Sequence, residues 1–267
     1  GYGSSGPMAN NAGYDQVLQA MSGICDSQGM GKTEPEIVYG SVVDFYASAM
    51  IANSVNAALF KRERTGQGSY VEVSLLASAL TMQSTRLVWA EGEPKNIERD
   101  MRSGGITGIH PTKDGFIYLS ANTPHFWQAL CTLLGLQALA TDERYDTVRK
   151  RAENASIIVP IIRGALQQRS AQEWEAHFGT QVPCAMVRPV HDMFEHPQVQ
   201  AEGLIREFSH SKIGKYKSIT GLIKMDHAAC ATERAAPDFG EHTSELLTEY
   251  GYSEQQIDQF RQRGIVR

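Results

Sequence analysis

Val42-Val43-Asp44-Phe45-Tyr46 opens the stretch whose reading decides the fold. An Ala/Ile/Leu-rich run to Phe60 follows, then Lys61-Arg62-Glu63-Arg64-Thr65-Gly66-Gln67-Gly68 and Ser69-Tyr70-Val71-Glu72-Val73-Ser74-Leu75-Leu76. Asp44 sits where a helix of about 20 residues begins, and the basic turn before Gly66 is where such a helix stops. Tyr70, Glu72 and Ser74 alternate with Val71, Val73 and Leu75, the pattern of a half-buried strand. Leu76 to about Trp89 returns to helical spacing. Strand alternating with helix predicts an α/β layer with some parallel sheet.

On the N-terminal side, residues 1–12 read as loop. Val17, Leu18, Met21 and Ile24 recur at three and four, predicting a short amphipathic helix from Tyr14 to about Cys25. Asp26 to Glu36 reads as a surface loop and Ile37 to Val43 as extended chain. On the C-terminal side, Glu91 to Met101 resembles a linker, and Arg102-Ser103-Gly104-Gly105-Ile106-Thr107-Gly108 a flexible loop. Asp114-Gly115 marks a tight turn into Phe116-Ile117-Tyr118-Leu119. Helices are predicted over 124–135, 148–168 and 170–178, with a short apolar segment at Val182 to Val187 and a further helix starting at His191 to Phe194. Residues 203–234 read as strands and loops. Glu241 to Tyr250 reads as a helix, and Ser253 with Gln256 as the capping box of the last one, which stops before Gly264.

A chain of 267 residues suffices for one large domain or two smaller ones. The 25 Lys and Arg against 30 Asp and Glu leave a net charge of −5, which gives no support for nucleic-acid or anionic-membrane binding. A local basic cluster could still hold a phosphorylated ligand. Cys25, Cys131, Cys184 and Cys230 lie far apart with no paired spacing, so reduced thiols are expected rather than a zinc site or a disulfide framework. No apolar run approaches the ~20 residues that a membrane span needs. The glycine-rich start, Gly1-Tyr2-Gly3-Ser4-Ser5-Gly6-Pro7, carries no initiator Met, and the chain is expected to begin inside a larger protein.

Asp44 invites two readings. Asp is common in first helical turns because its carboxylate caps free N–H groups. A carboxylate held at that place, facing the helix dipole, can equally attack an activated acyl group and form a covalent anhydride. The glycines Gly104, Gly105 and Gly108 fit a plain hinge or a loop whose backbone N–H groups close over an active site. They form neither a Walker loop nor a GxGxxG turn. Lys61, Arg62 and Arg64 read best as a solvated helix end balanced against the dipole. His191-Asp192 and Glu241-His242 are neighbours in sequence, so their side chains are expected to diverge. Ser4, Ser5 and Ser22 lie in no GxSxG elbow.

Five stretches taken together resemble one family. They are Gly13-Tyr14-Asp15-Gln16-Val17-Leu18-Gln19-Ala20-Met21-Ser22-Gly23; Asp44 with its long helix; Glu63-Arg64-Thr65-Gly66-Gln67-Gly68-Ser69-Tyr70-Val71-Glu72-Val73-Ser74-Leu75; Pro111-Thr112-Lys113-Asp114-Gly115-Phe116-Ile117-Tyr118; and Gly240-Glu241-His242-Thr243 with Leu246-Leu247 and Gly251-Tyr252-Ser253. Their order and spacing over nearly the whole chain are similar to the family III CoA-transferases, the CaiB/BaiF group that includes the formyl-CoA:oxalate enzymes.

The resemblance implies transfer of coenzyme A from an acyl-CoA to a small carboxylic acid. Asp44 takes the place of the family's catalytic aspartate, passing through an aspartyl-acyl anhydride and an aspartyl-CoA thioester. Gly13, Tyr14 and Asp15 match positions lining the CoA region, and Gly104 and Gly105 match the glycine loop over the substrate, with fewer consecutive glycines than the oxalate enzymes carry. Coenzyme A enters as substrate; no permanently bound cofactor and no metal are implied. The implied fold is α/β, with a Rossmann-like large domain built from both chain ends and a smaller α+β domain. Residues 1–98 would belong to the large domain, 99–202 to the small one, and 203–267 would return to the large one. A cytoplasmic, interlocked homodimer is the family's form, and more than a hundred further residues upstream are expected (an expectation of the resemblance alone). Two alternatives stand beside the transferase. In an acyl-CoA racemase of the same superfamily Asp15 would supply a carboxylate, although Tyr14 stands where a His is usual. The other is an inactive truncated remnant.

Overall fold

The computed structural model describes residues 1–29, 34–93, 103–230 and 234–267. It divides into two compact units, Gly1–Asp100 and Met101–Arg267.

In the first unit, α1 (Asp15–Ser22) and α2 (Ile24–Gln28) replace the single helix expected to about Cys25. Gly23 separates them at φ +89°, a left-handed conformation that ends α1 with its N–H on the carbonyl of Gln19. α2 also takes up the start of the expected surface loop, of which residues 30–33 lie outside the described residues. α3 (Val42–Thr65) has 24 residues and starts two positions before Asp44. Gly66 closes it at φ +71°, with its N–H on the Arg62 carbonyl at 2.8 Å. α4 (Leu75–Thr81) begins at Ser74, whose hydroxyl accepts the N–H of Ala77 at 3.1 Å. Leu18, Ile24, Val43 and Ala79 form the small core that joins these helices.

The strand expected over Tyr70 to Leu75 is not formed. Val71 and Val73 are half-buried between exposed Tyr70 and Glu72, so the alternation survives, yet no described segment of this unit pairs with it. A side-chain pattern gives a strand its faces, but only a neighbouring backbone gives it a ladder. The parallel sheet predicted from that alternation is likewise missing, since every strand pair among the described residues is antiparallel.

The second unit carries those strands. β1 (Gly108–Pro111) and β2 (Phe116–Leu119) form the hairpin predicted around Asp114-Gly115, with Gly108 opposite Leu119 and Pro111 opposite Phe116. α5 (Pro124–Leu133) and α6 (Gln137–Ala140) follow. The predicted helix over 148–168 is split into α7 (Val148–Glu153) and α8 (Ala155–Leu166), the break falling at Asn154. α9 (Ala171–Phe178) starts with a capping box of Ser170 and Glu173, and β3 (Cys184–Met186) pairs with β2. Ile117, Leu119, Trp127, Leu130, Ile158 and Phe178 are all at most 2% exposed and anchor the core of this unit. The remainder is α10 (Pro197–Ala201), the β4 (Ile205–His210) and β5 (Gly214–Ile219) hairpin, the short β6 (Lys224–Met225) and β7 (Ala228–Ala229), α11 (Thr243–Glu249) and α12 (Glu254–Gln262). The last opens with the predicted Ser253–Gln256 capping box. The expected linker falls mostly on residues 94–101, outside the described residues. No helix among the described residues is long and apolar enough to cross a membrane.

Candidate functional site

The first turn of α3 brings Asp15 and Asp44 together, in arrangements the sequence does not announce. Every helix begins with N–H groups that lack partners within the helix. Here Oδ2 of Asp15, on α1, accepts the N–H of Val43 at 2.7 Å and that of Asp44 at 3.0 Å. Ser41 occupies the N-cap position and its hydroxyl caps nothing. The other Asp15 oxygen accepts from Gln19 Nε2 at 2.6 Å. Gln19 in turn accepts the N–H of Val38 at 2.9 Å and donates to the Val38 carbonyl at 3.2 Å. Asp15 is 2% exposed and Gln19 fully buried. Asp44, by contrast, is exposed, and its carboxylate takes part in no hydrogen bond or ion pair among the described residues. The capping expected of Asp44 is thus performed by Asp15, from 29 residues away. Gln19 carries no signal of this role beyond its place four after Asp15, which puts both on one face of α1.

The other expected site residues are equally definite, each within its own unit. Tyr14 is 70% exposed. Gly13 lies so close to the chain's first residue that a Cβ would come within 2.6 Å of the Gly1 Cα, so only glycine fits there. In the second unit Gly104 and Gly105 have φ of +68° and +96°. A Cβ on Gly104 would stand 2.5 Å from that of Ala155 and 3.0 Å from the Ala152 carbonyl oxygen, whereas Gly105 has open space around it. Downstream, the Ile106 carbonyl lies 2.9 Å from Nε2 of fully buried His110, and Thr107 Oγ1 donates to Asn122 Oδ1 at 2.7 Å. Burial lowers the pKa of His110, opposed by the bond to Ile106 and aided by the Arg163 charge. The loop is therefore docked on α7 and α8 at one glycine and open at the next. Arg102, expected in the same loop, lies outside the described residues.

Other polar groups carry less. His191 and Asp192 do meet, at 3.1 Å, contrary to the expected divergence; both lie on the short 3-10 turn at Val190–Phe194, His191 exposed and Asp192 half-buried. Arg62 pairs with Glu63 at 2.9 Å, Lys61 Nζ donates to Ser69 Oγ, and Arg64 stacks over Phe60, all on the surface. The four cysteines are free thiols. Burial pushes the Cys131 thiol up to about 12 and that of Cys184 up to about 11, which removes them as nucleophiles near neutral pH. A cavity of about 510 Å³ beside His210, Arg234 and His242 contains none of the predicted site residues. Among the described residues no cluster of three His, Cys, Asp or Glu is placed to hold a metal ion.

The site is thus an exposed carboxylate, Asp44, in a first helical turn whose backbone N–H groups are capped by a second, buried carboxylate, Asp15. A model of CoA-transferase family III matches residues 1–243, and the chain belongs to that family. Succinyl-CoA:glutarate CoA-transferase of Mus musculus is 27% identical across all of this chain and 62% of its own length. Succinate–glutarate CoA-transferase of Agrobacterium fabrum is 28% identical across 93% of this chain and 63% of its own. The crystal structure of a CAIB/BAIF family protein from Brucella suis shares the fold, with a TM-score of 0.74 at 24% identity over 93% of this chain and 66% of that one. The chain spans 62–63% of the length of these two transferases.

Proposed function

We propose that this chain serves a CoA-transferase that moves coenzyme A from an acyl-CoA to a carboxylic acid, with Asp44 as the covalent relay. The observation that carries the proposal is the free Asp44 carboxylate at a helix start whose cap is already supplied by Asp15. A carboxylate with no donor on it is a better nucleophile than one tied into a cap. It attacks the thioester carbonyl carbon, the C–S bond breaks, and CoA leaves as thiolate from an aspartyl-acyl anhydride. The thiolate attacks the Asp44 carbonyl of that anhydride, expels the donor acid as its carboxylate, and leaves an aspartyl-CoA thioester. The acceptor carboxylate attacks this thioester, and the released thiolate takes the acceptor's acyl group and frees Asp44. Charge and atoms balance at every step without a proton transfer.

Gly13 and Tyr14 are proposed to shape the CoA end of the site, with buried Asp15 behind them, and Gly104 and Gly105 to cover the substrate. The names of the relatives support a short dicarboxylate donor and acceptor. A Rossmann-like large domain over 1–98 and 203–267, a small one over 99–202, and a homodimer are part of the same proposal. Exposed Phe45, Ile51, Val55, Leu59 and Phe60 along α3 support a further packing partner for that helix. A racemase acting through Asp15 is the weaker reading, since both oxygens of that buried carboxylate are already occupied by three donors.

Asp44→Asn in the intact protein tests the proposal. Transfer is expected to fall at least ~10³-fold, as loss of a covalent nucleophile does. Hydroxylamine is expected to trap an acyl adduct on Asp44 of the unaltered protein. Transfer at the unaltered rate by the variant refutes the relay.

A further inference from the structure

We infer that Asp15 is a positioning residue for Asp44, acting through the backbone of the α3 start, and not a direct contact for coenzyme A. The inference rests on Asp44 as nucleophile. Asp15 Oδ2 holds the amide of Asp44 itself and the one before it, at 3.0 and 2.7 Å. Those two bonds fix the peptide planes on either side of the Val43 Cα–C bond, and so the direction in which the Asp44 Cβ leaves the helix. Gln19 completes the clamp. Its amide joins the second Asp15 oxygen to both backbone groups of Val38, so α1, the segment before α3 and the first turn of α3 move as one. The side chains that make the clamp, Asp15 and Gln19, are 2% and 0% exposed, and every contact in it joins a donor to an acceptor. A second consequence is chemical. By taking the two amides, Asp15 keeps them from the Asp44 carboxylate, which would otherwise fold back onto its own helix start and lose nucleophilic lone pairs to it.

Asp15→Asn separates the two parts of this clamp. Asparagine keeps an acceptor for the two amides, but its Nδ2 then faces Gln19 Nε2, donor against donor. Asp15→Ala removes both. In the intact protein, with rates taken per folded enzyme from circular dichroism, kcat is expected to fall about tenfold in Asp15→Asn and about 10²-fold in Asp15→Ala, the loss that a displacement of about 1 Å at the reacting group produces. KM for the acyl-CoA is expected to stay within about twofold, because the altered step is chemistry and not binding. Formation of the hydroxylamine-trapped Asp44 adduct in a single turnover is expected to slow in the same proportion as kcat. An unchanged kcat in either variant overturns the inference. So does a raised KM at constant kcat, which makes Asp15 a CoA contact. Should Asp15→Ala fail to fold, Asp15→Asn decides. Asp44→Asn run beside them keeps the two claims apart: an inactive Asp44→Asn with a fully active Asp15→Asn sinks the positioning role alone, and an active Asp44→Asn sinks the nucleophile and this inference with it.

Discussion

Gly104→Ala probes the docking of the glycine loop. Two costs arise, and the structure separates them. The backbone cost comes from φ +68°, where an L side chain is disfavoured by roughly 1–2 kcal/mol. The packing cost comes from the new methyl group, which would meet the Ala155 Cβ at 2.5 Å and the Ala152 carbonyl oxygen at 3.0 Å. Neither neighbour is the tip of a flexible side chain, so helix backbone must shift, and overpacking of that kind costs about 1–3 kcal/mol. The sum is about 2–5 kcal/mol. Gly105→Ala pays only the backbone cost, since nothing lies within 4 Å of its added Cβ. Urea unfolding followed by tryptophan fluorescence reads this directly, because Trp127 and Trp174 are both 2% exposed in the second unit while Trp89 in the first is 58% exposed. The pair Gly104→Ala with Ala155→Gly isolates the contact. The double variant is expected to be at least about 1 kcal/mol more stable than the two single costs add up to. Additive costs, together with equal losses in Gly104→Ala and Gly105→Ala, refute the docked loop.

Two further outcomes follow from buried cations and would-be cations of the same unit. His110 is held neutral by burial, so the unfolded chain takes up a proton below about 6.5 and the folded chain does not; its contribution is complete above that value and is lost as pH falls, by up to about 1.4 kcal/mol per pH unit. The urea midpoint of the unaltered chain is therefore expected to drop more between pH 7.5 and 5.5 than that of His110→Phe, and equal drops refute the assignment. Arg151, 1% exposed, donates to the carbonyls of Tyr145, Asp146 and Asn122 at 2.9, 3.3 and 2.7 Å and lies over Trp127. Arg151→Met leaves these carbonyls orphaned and is expected to cost about 2–4 kcal/mol in the same assay, a loss under 1 kcal/mol counting against it.

What the sequence tells directly is whatever is set within a few residues. The end of α3 at Gly66, the turn at Asp114-Gly115 and the Ser253–Gln256 box are local devices, and each stands where its residues predict. The Tyr70–Leu75 strand fails because pairing is not local: the alternation is real, but a ladder depends on a second segment that no window of eight residues contains. The break at Gly23 is a near miss of the other kind. The helical period continues through it, and only the left-handed φ of +89° shows that the chain turns there. His110, like Gln19, is silent in the sequence, since its significance lies in a carbonyl that only the fold brings near.

The two aspartates show how a role expected of one residue can fall to another. Asp in a first turn suggests a cap, and a cap suggests a stability role worth about 1 kcal/mol. Ser41 stands at the N-cap and could supply that bond locally, at no cost in buried charge. The helix instead uses a carboxylate from α1, although burying an ion costs several kcal/mol that its partners must offset. Stability of the helix end does not account for that choice. A remote cap does something that a local one cannot: it ties the direction of the Asp44 side chain to α1 and to Val38, so the proposed nucleophile is aimed by parts of the chain that do not react. A local Ser41 cap would have fixed the helix and left the aim of Asp44 to its own rotation.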